Sequence, residues 1–383
     1  MHILIAPNAF KHSLNAQEAA KAIQGGLLAS RIQCSSELFP IGDGGNGTGR
    51  LLVEKYAGKE ITVWAQDPLG RTIETSYGVI DEGRTAIIEM ASASGLHLLK
   101  QTELNPLIAS SYGTGQLIKF ALDQGIKKII IALGGSATID GGSGLLQALG
   151  VRFLNTKKEV ITNLPRGLME LDDMDLSGLD ARLLQCEIVV LCDVTNPLLG
   201  KNGAAHVFGR QKGADAAMVN QLEKILGRYA ETIARTKGIK LADLPYSGVA
   251  GGASAGLKAV LNAKLVNGID YFLELTHFEK ALAKTDLVIT GEGSIDVQTL
   301  QGKGPFGVAR RAKGRGITVI GLAGVIPPEN NNELNAYFDL LLAIGNGPST
   351  REKALSSTAQ HLHRTAVQLG NFIGCFTTTS GIG

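Results

Sequence analysis

The sequence predicts an α/β protein: a doubly wound parallel-sheet domain with a second, inserted mixed α/β domain. Three observations lead there. Short β-branched runs recur, each closed by Gly or Asp and followed by a helical pattern: HILIAP at 2 to 7, KKIIIALGG at 127 to 135, EIVVLCD at 187 to 193, DLVITGEG at 286 to 293 and ITVIGLAG at 317 to 324. Unbroken apolar runs of this length read as parallel strands buried on both faces. By contrast, TVWAQDPLGRTIETSYGVIDEGRTAIIEM, beginning at residue 62, alternates apolar and polar positions around a PLG and a DEG turn, the pattern of an antiparallel meander. An antiparallel piece among parallel units marks an insertion. The 383 residues fit two domains at ~100–200 residues each. The expected division is 1–62 with 281–383 as the doubly wound domain, and 63–280 as the inserted domain with the meander and a glycine-rich loop.

After the first strand, Ser13 or Asn15 caps a helix over AQEAAKAIQGGLLAS, and GPFGVARRAKGRG forms another before the fifth apolar run. LADLPYSGVAGGASAGLKAVLNAKLVNGI reads as loop and small-residue helix. The tail NFIGCFTTTSGIG lacks a period and is expected to be partly disordered.

Net charge is +2 from 37 basic and 35 acidic residues, too balanced for a sequence-independent nucleic-acid binder. Aromatic residues make up 5%, with one Trp, which argues against stacking platforms for single strands or carbohydrate. Cys34, Cys186, Cys192 and Cys375 lack CxxC spacing, so reduced, packed thiols are expected. MHILIAPNAF shows neither the basic flank nor the apolar stretch of an export signal, and no apolar run reaches ~18 residues. These features predict a cytoplasmic protein, monomer or homodimer, that binds a small molecule and neither nucleic acid nor membrane. The 49 glycines cluster beside the apolar runs, where they permit close backbone approach to a ligand.

Six segments carry possible chemistry. GGSATIDGGSG at 134 to 144, between an apolar strand and a helix, offers backbone N–H groups at Gly134, Gly135, Gly141 and Gly142 and hydroxyls at Ser136 and Thr138 to a phosphate; the alternative is a tight structural turn. It is neither Walker A nor GxGxxG. In IGDGGNGTG at 41 to 49, Asp43 suits Mg²⁺ or a substrate hydroxyl, or else a helix N-cap. Asp193 in LCDVTNPL stands at the carboxyl end of a buried strand, where open α/β sheets bind ligands, and is a candidate base; an ordinary cap or turn role with Asn196 is the alternative. In ITGEGSIDVQTLQGKGP, Glu292, Asp296 and Lys303 on one loop suit a metal-phosphate site or a loop salt bridge. Lys11 in IAPNAFKHS, and Lys212 and Arg210 in FGRQKGA, are possible phosphate contacts, the latter two equally a solvated basic turn. The histidines have no metal-ligand spacing, and GxSxG is absent. Nor does any strand lead into GxGxxG with an acidic residue ~20 positions later, which leaves a dehydrogenase little support.

Taken in order, IAPNAFKHSL, IGDGGNGTG, DPLGR, IEMASASGL, NPLIASSYGTG, LGGSATIDGGSGLLQALG, CDVTNPLLG, FGRQKGA and ITGEGSID…GKGPFGVARRAK resemble the bacterial glycerate kinase family of the glycerate 2-kinase type, from about residue 2 to about residue 325. The resemblance implies a two-domain α/β fold and phosphorylation of D-glycerate from ATP with Mg²⁺, with 2-phosphoglycerate favoured over 3-phosphoglycerate. On that reading Asp193 and Lys11 are catalytic. Gly134, Gly135, Ser136, Thr138, Gly141, Gly142, Lys212 and Lys303 bind the nucleotide, and Asp43, Glu292 and Asp296 hold the metal. Two departures stand out: the family commonly reads IAPDSFK and DGGEGT where this chain has Asn8 and Asn46. Each removes a carboxylate, so the alternative is a catalytically weakened glycerate- or hydroxy-acid-binding protein of the same fold.

Overall fold

The structure, a computed structural model, describes residues 1–377. In chain order the strands are β1 (His2–Pro7), β2 (Ser35–Leu38), β3 (Lys59–Gln66), β4 (Thr72–Ile80), β5 (Thr85–Glu89), β6 (Lys128–Ala132), β7 (Arg152–Leu154), β8 (Asp173–Asp175), β9 (Glu187–Cys192), β10 (Lys264–Asn267), β11 (Leu287–Ser294), β12 (Thr318–Val325) and β13 (Leu340–Ala343). They form a five-stranded sheet in the order β13-β12-β11-β1-β2, a six-stranded sheet in the order β10-β9-β6-β5-β4-β3, and the β7-β8 pair.

The chain contacts divide into two compact units, Met1–Asp43 with the chain from Ile269 onward, and Gly44–Gly268. The sequence places the changeovers later, after 62 and after 280. The helix Thr48–Lys55 moves the first one earlier: Val53 packs within 2.2 Å of where a Cβ on Gly78 would lie, so this helix belongs with β4. The second moves because Ile269 packs against Gly307, and Phe278 meets Phe39 edge-on at 5.0 Å between ring centroids.

All pairings in the first unit's sheet are parallel. Numbered within that unit, its strands run 2-1-3-4-5, so the direction of winding reverses between β1 and β11. In such sheets the crevice at the reversal point, at the carboxyl ends of the strands, is where ligands bind. Ile3, Ile5, Ile289, Ile320 and Leu322 form one core face with Ile23 and Leu27 of the helix Ala16–Leu28 and with Leu362 and Ala366 of the helix Thr358–Thr377. Leu4, Val288 and Val319, on the opposite face by strand alternation, are equally buried. The two helices approach closely at Gly26, where a Cβ would fall 2.3 Å from the His363 carbonyl. Asn15 caps the first helix in a reciprocal capping box with Glu18. Ser13 instead donates to the Leu355 carbonyl at 2.5 Å.

In the second unit, β3-β4-β5 form the expected antiparallel meander, and β5, β6, β9 and β10 continue it as parallel strands. Asp67, almost fully buried, closes the β3-β4 turn by accepting the Leu69 and Arg71 amides. The tail expected to lack regular structure is helical through Thr377, and residues 378–383 lie outside the described residues. Among the described residues no helix is long and apolar enough to cross a membrane.

Candidate functional site

In the first unit, the ends of β1 and β11 meet at the reversal point, joined by an Asn8 N–H to Gly291 carbonyl bond of 2.8 Å. The Asn8 side chain, buried, donates to Asp43 Oδ2 at 2.8 Å and accepts the Ala9 amide at 2.8 Å. Asp43 is therefore not the cap of the following helix, whose N-cap is Gly47. Glu292, at the end of β11, is 7% exposed and accepts the Thr299 hydroxyl at 3.1 Å. Burial pushes its carboxyl up to about 7, with Asp43 adding to the rise and Lys303, the Thr299 bond and Lys11 opposing it. Lys11, Lys303 and Glu292 line one cavity of about 460 Å³.

Asp296 has a structural task as well. Its carboxylate accepts the Gln298 amide at 2.8 Å and caps the short turn Val297–Gln301. Among the described residues no group of three His, Cys, Asp or Glu side chains is placed to hold a metal ion, so the trio Asp43, Glu292 and Asp296 does not assemble as a cage. Mg²⁺ at phosphate-transfer sites usually takes one or two carboxylates plus phosphate oxygens and water. Asp43 and Glu292 fit that smaller share, since their mutual repulsion is what a cation would relieve.

In the second unit, the loop between β6 and the helix Ser143–Ala148 centres on Asp140, which is 0% exposed. Its carboxylate accepts the amides of Ser111 (2.9 Å), Gly142 (3.0 Å) and Gly144 (3.2 Å) and the Ser111 hydroxyl (2.6 Å). The Gly141 amide is bound to the Gly251 carbonyl. Donors expected to face a phosphate thus serve the protein itself at Gly141 and Gly142. Gly134 and Gly135 pack against the other glycine-rich loop: the Gly134 amide donates to the Gly44 carbonyl, and Gly135 has φ +77 with the Asn46 side chain over its Cα. A residue with a Cβ fits neither place.

Lys212 is buried rather than solvated. Its ammonium donates to Ser136 Oγ at 2.9 Å and to the Thr138 carbonyl at 2.8 Å. Burial pushes it down to about 7, against the pull of the Asp140 and Asp193 carboxylates. Thr138 Oγ1 is buried without a hydrogen-bond partner among the described residues. Asp193 lies half-buried at the carboxyl end of β9, and Asn196 donates to the Asn202 carbonyl. Arg210 is exposed.

Two carboxylates that organise the glycine-rich loops were not singled out from the sequence. Asp140 is the acidic residue inside GGSATIDGGSG, and that placement was the available signal. Glu89 ends β5 and accepts the Gly47 and Gly49 amides at 3.2 and 2.6 Å, at the start of the helix Thr48–Lys55. Burial raises its carboxyl, opposed by the Gly47, Gly49 and Arg50 amide bonds.

Known proteins resemble this chain along nearly its whole length. Residues 3–374 match the model of the glycerate kinase family. The chain is 43% identical over 366 residues to the glycerate kinase of Bacillus subtilis (strain 168), covering 96% of each chain. It is 43% identical over 349 residues to the glycerate 2-kinase of Escherichia coli (strain K12), covering 90% of this chain and 92% of that one. The crystal structure of a protein from Salmonella typhimurium LT2, described as a candidate glycerate kinase 2, superposes with a TM-score of 0.82 at 42% identity over 99% of both chains. Matched almost end to end in both sequence and fold, the chain belongs to the glycerate kinase family.

Proposed function

We propose that this protein transfers a phosphoryl group from ATP to D-glycerate with Mg²⁺, in line and without a covalent enzyme intermediate, giving 2-phosphoglycerate. The observation that carries the reading is the buried Glu292 carboxyl beside Asp43, with Lys11 and Lys303 nearby, at the reversal point of a 2-1-3-4-5 parallel sheet. Phosphoryl transfer asks a protein chiefly for positioning and charge neutralisation, and carboxylates interleaved with lysines supply both. The names of the relatives support glycerate as the acceptor.

Lys11 and Lys303 neutralise phosphate oxygens. Asp43 and Glu292 would hold Mg²⁺, which when bound supplies charge stabilisation on the transferring group. Asp193 accepts the proton of the attacked hydroxyl, a role suited to a half-buried carboxylate at a strand's carboxyl end. Gly134, Gly135, Ser136 and Thr138 shape a binding loop that Lys212 and Asp140 brace from behind through their hydrogen bonds.

The test is incubation with ATP, Mg²⁺ and D-glycerate, following ADP release and identifying the product by phosphorus NMR. 2-Phosphoglycerate is the expected product. Retained glycerate binding without ADP release would replace the reading with a binding protein of the same fold.

A further inference from the structure

The cavity of about 460 Å³ in the first unit is bordered by the segment after β1, by the ends of β11 and β12, and by residues 344–361 near the chain's end. Its two parts differ in chemistry. Phe10, Val325, Ile344 and Leu355 form apolar wall, and Val325 is 63% exposed although it is a large aliphatic side chain at the end of a central strand. Lys11, Lys303 and Arg351 contribute three cations, and among the described residues none of them has a carboxylate within ion-pair distance. His361, 9% exposed, also lines the cavity, and its imidazole makes no hydrogen bond to a described residue.

Size separates the two reactants. D-glycerate has about seven heavy atoms, and even at the ~30 Å³ of a liquid water each they would fill less than half of this space. A nucleoside matches the ~300–1,000 Å³ typical of pockets for larger organic ligands. Charge agrees, because three unpaired cations beside an apolar wall suit a molecule with a flat apolar end and a polyanionic end. The second unit's glycine-rich loop offers a poorer phosphate cradle, since the Gly141 and Gly142 amides and the Lys212 ammonium are already bound within the protein.

We propose that this cavity is the nucleoside triphosphate site, with the base against Val325 and Leu355, the phosphates at Lys11, Lys303 and Arg351, and His361 as a polar contact. The assignment rests on the ATP-dependent reading above and adds the location, bringing in Arg351 and His361 from the part of the chain beyond the glycine-rich motifs. It moves the nucleotide away from the loop at 134–144.

The test uses the full chain and MgADP as probe, with binding measured by calorimetry and KM measured separately for ATP and D-glycerate. Arg351→Ala removes an exposed cation, and Val325→Trp fills the apolar wall from an exposed position; circular dichroism and thermal melting check that both fold. The expected result is a weakening of MgADP binding by about tenfold or more in each, a matching rise in KM for ATP, and KM for D-glycerate within about twofold of the parent. A rise in KM for D-glycerate with unchanged MgADP binding would assign the cavity to the hydroxy acid and overturn the proposal. Unchanged values for both reactants would overturn it as well. If the parent protein bound no MgADP, the ATP-dependent reading would fall together with this assignment; parent binding that both variants retain would sink the location alone.

Discussion

Asn8 donates its side-chain amide to Asp43 Oδ2 across 2.8 Å, so that a neutral donor, not a second carboxylate, faces Asp43. Asn8→Asp would set two carboxylates in contact, and such a pair does not ionise independently. The variant should melt lower than the parent without divalent cation and recover with Mg²⁺, with half-maximal activity at lower Mg²⁺. Differential scanning fluorimetry and a Mg²⁺ titration of the rate measure both; identical behaviour in parent and variant would remove Asp43 from the metal role.

Asp296 makes the opposite case. As the cap of Val297–Gln301 it should cost about 1 kcal/mol on Asp296→Ala, with the Mg²⁺ dependence unchanged. A large rise in the Mg²⁺ requirement would restore it as a ligand.

Asp193→Asn keeps the side chain's size and one acceptor oxygen but cannot take a proton. General-base catalysis contributes about 10²–10⁴ in rate, so kcat should fall by at least about 10² while melting temperature and KM for ATP stay close to the parent values. A near-normal kcat would assign the base elsewhere.

Lys212 links stability to pH. Its ammonium is held down to about 7 in the folded protein against an ordinary value of 10.5. Below about pH 7 it is charged in both states, and the burial penalty is felt in full. Between 7 and 10.5 the unfolded chain keeps a proton that the folded one has released, so this residue's contribution makes stability rise with pH. The slope is at most about 1.4 kcal/mol per pH unit. Urea unfolding of the parent and Lys212→Met across this window should show the parent gaining on the variant; a constant difference would mean an unshifted lysine.

Glu89→Gln tests the support of the loop after Asp43. A glutamine has one acceptor oxygen to offer amides now served by two, and its NH₂ group would face a donor. A loss of about 1–3 kcal/mol in unfolding free energy is expected, read by chemical denaturation, and a neutral outcome would show that the loop holds itself.

Much of this was legible along the chain because it depends on neighbours in sequence. Strand runs such as HILIAP and DLVITGEG, the alternation from Thr62, the Asn15 cap and the placing of Lys11, Glu292 and Lys303 on segments that end or follow strands all depend on local period and local chemistry. The 2-1-3-4-5 order does not, because pairing β1 with β11 joins Ala6 to Thr290, 284 positions apart in the chain. The same limit governs the charges. Whether a carboxylate meets solvent, metal or a row of amides depends on which distant backbone folds around it. Thus Asp140 turned inward to Ser111, Gly142 and Gly144, Lys212 to Ser136 and Thr138, and Asp296 to its own turn, while Arg351 and His361 came to the cavity without any motif to announce them. Composition and periodicity record what each residue can do; burial, which sets the cost of a charge and the partner that must offset it, exists only once the chain has closed on itself.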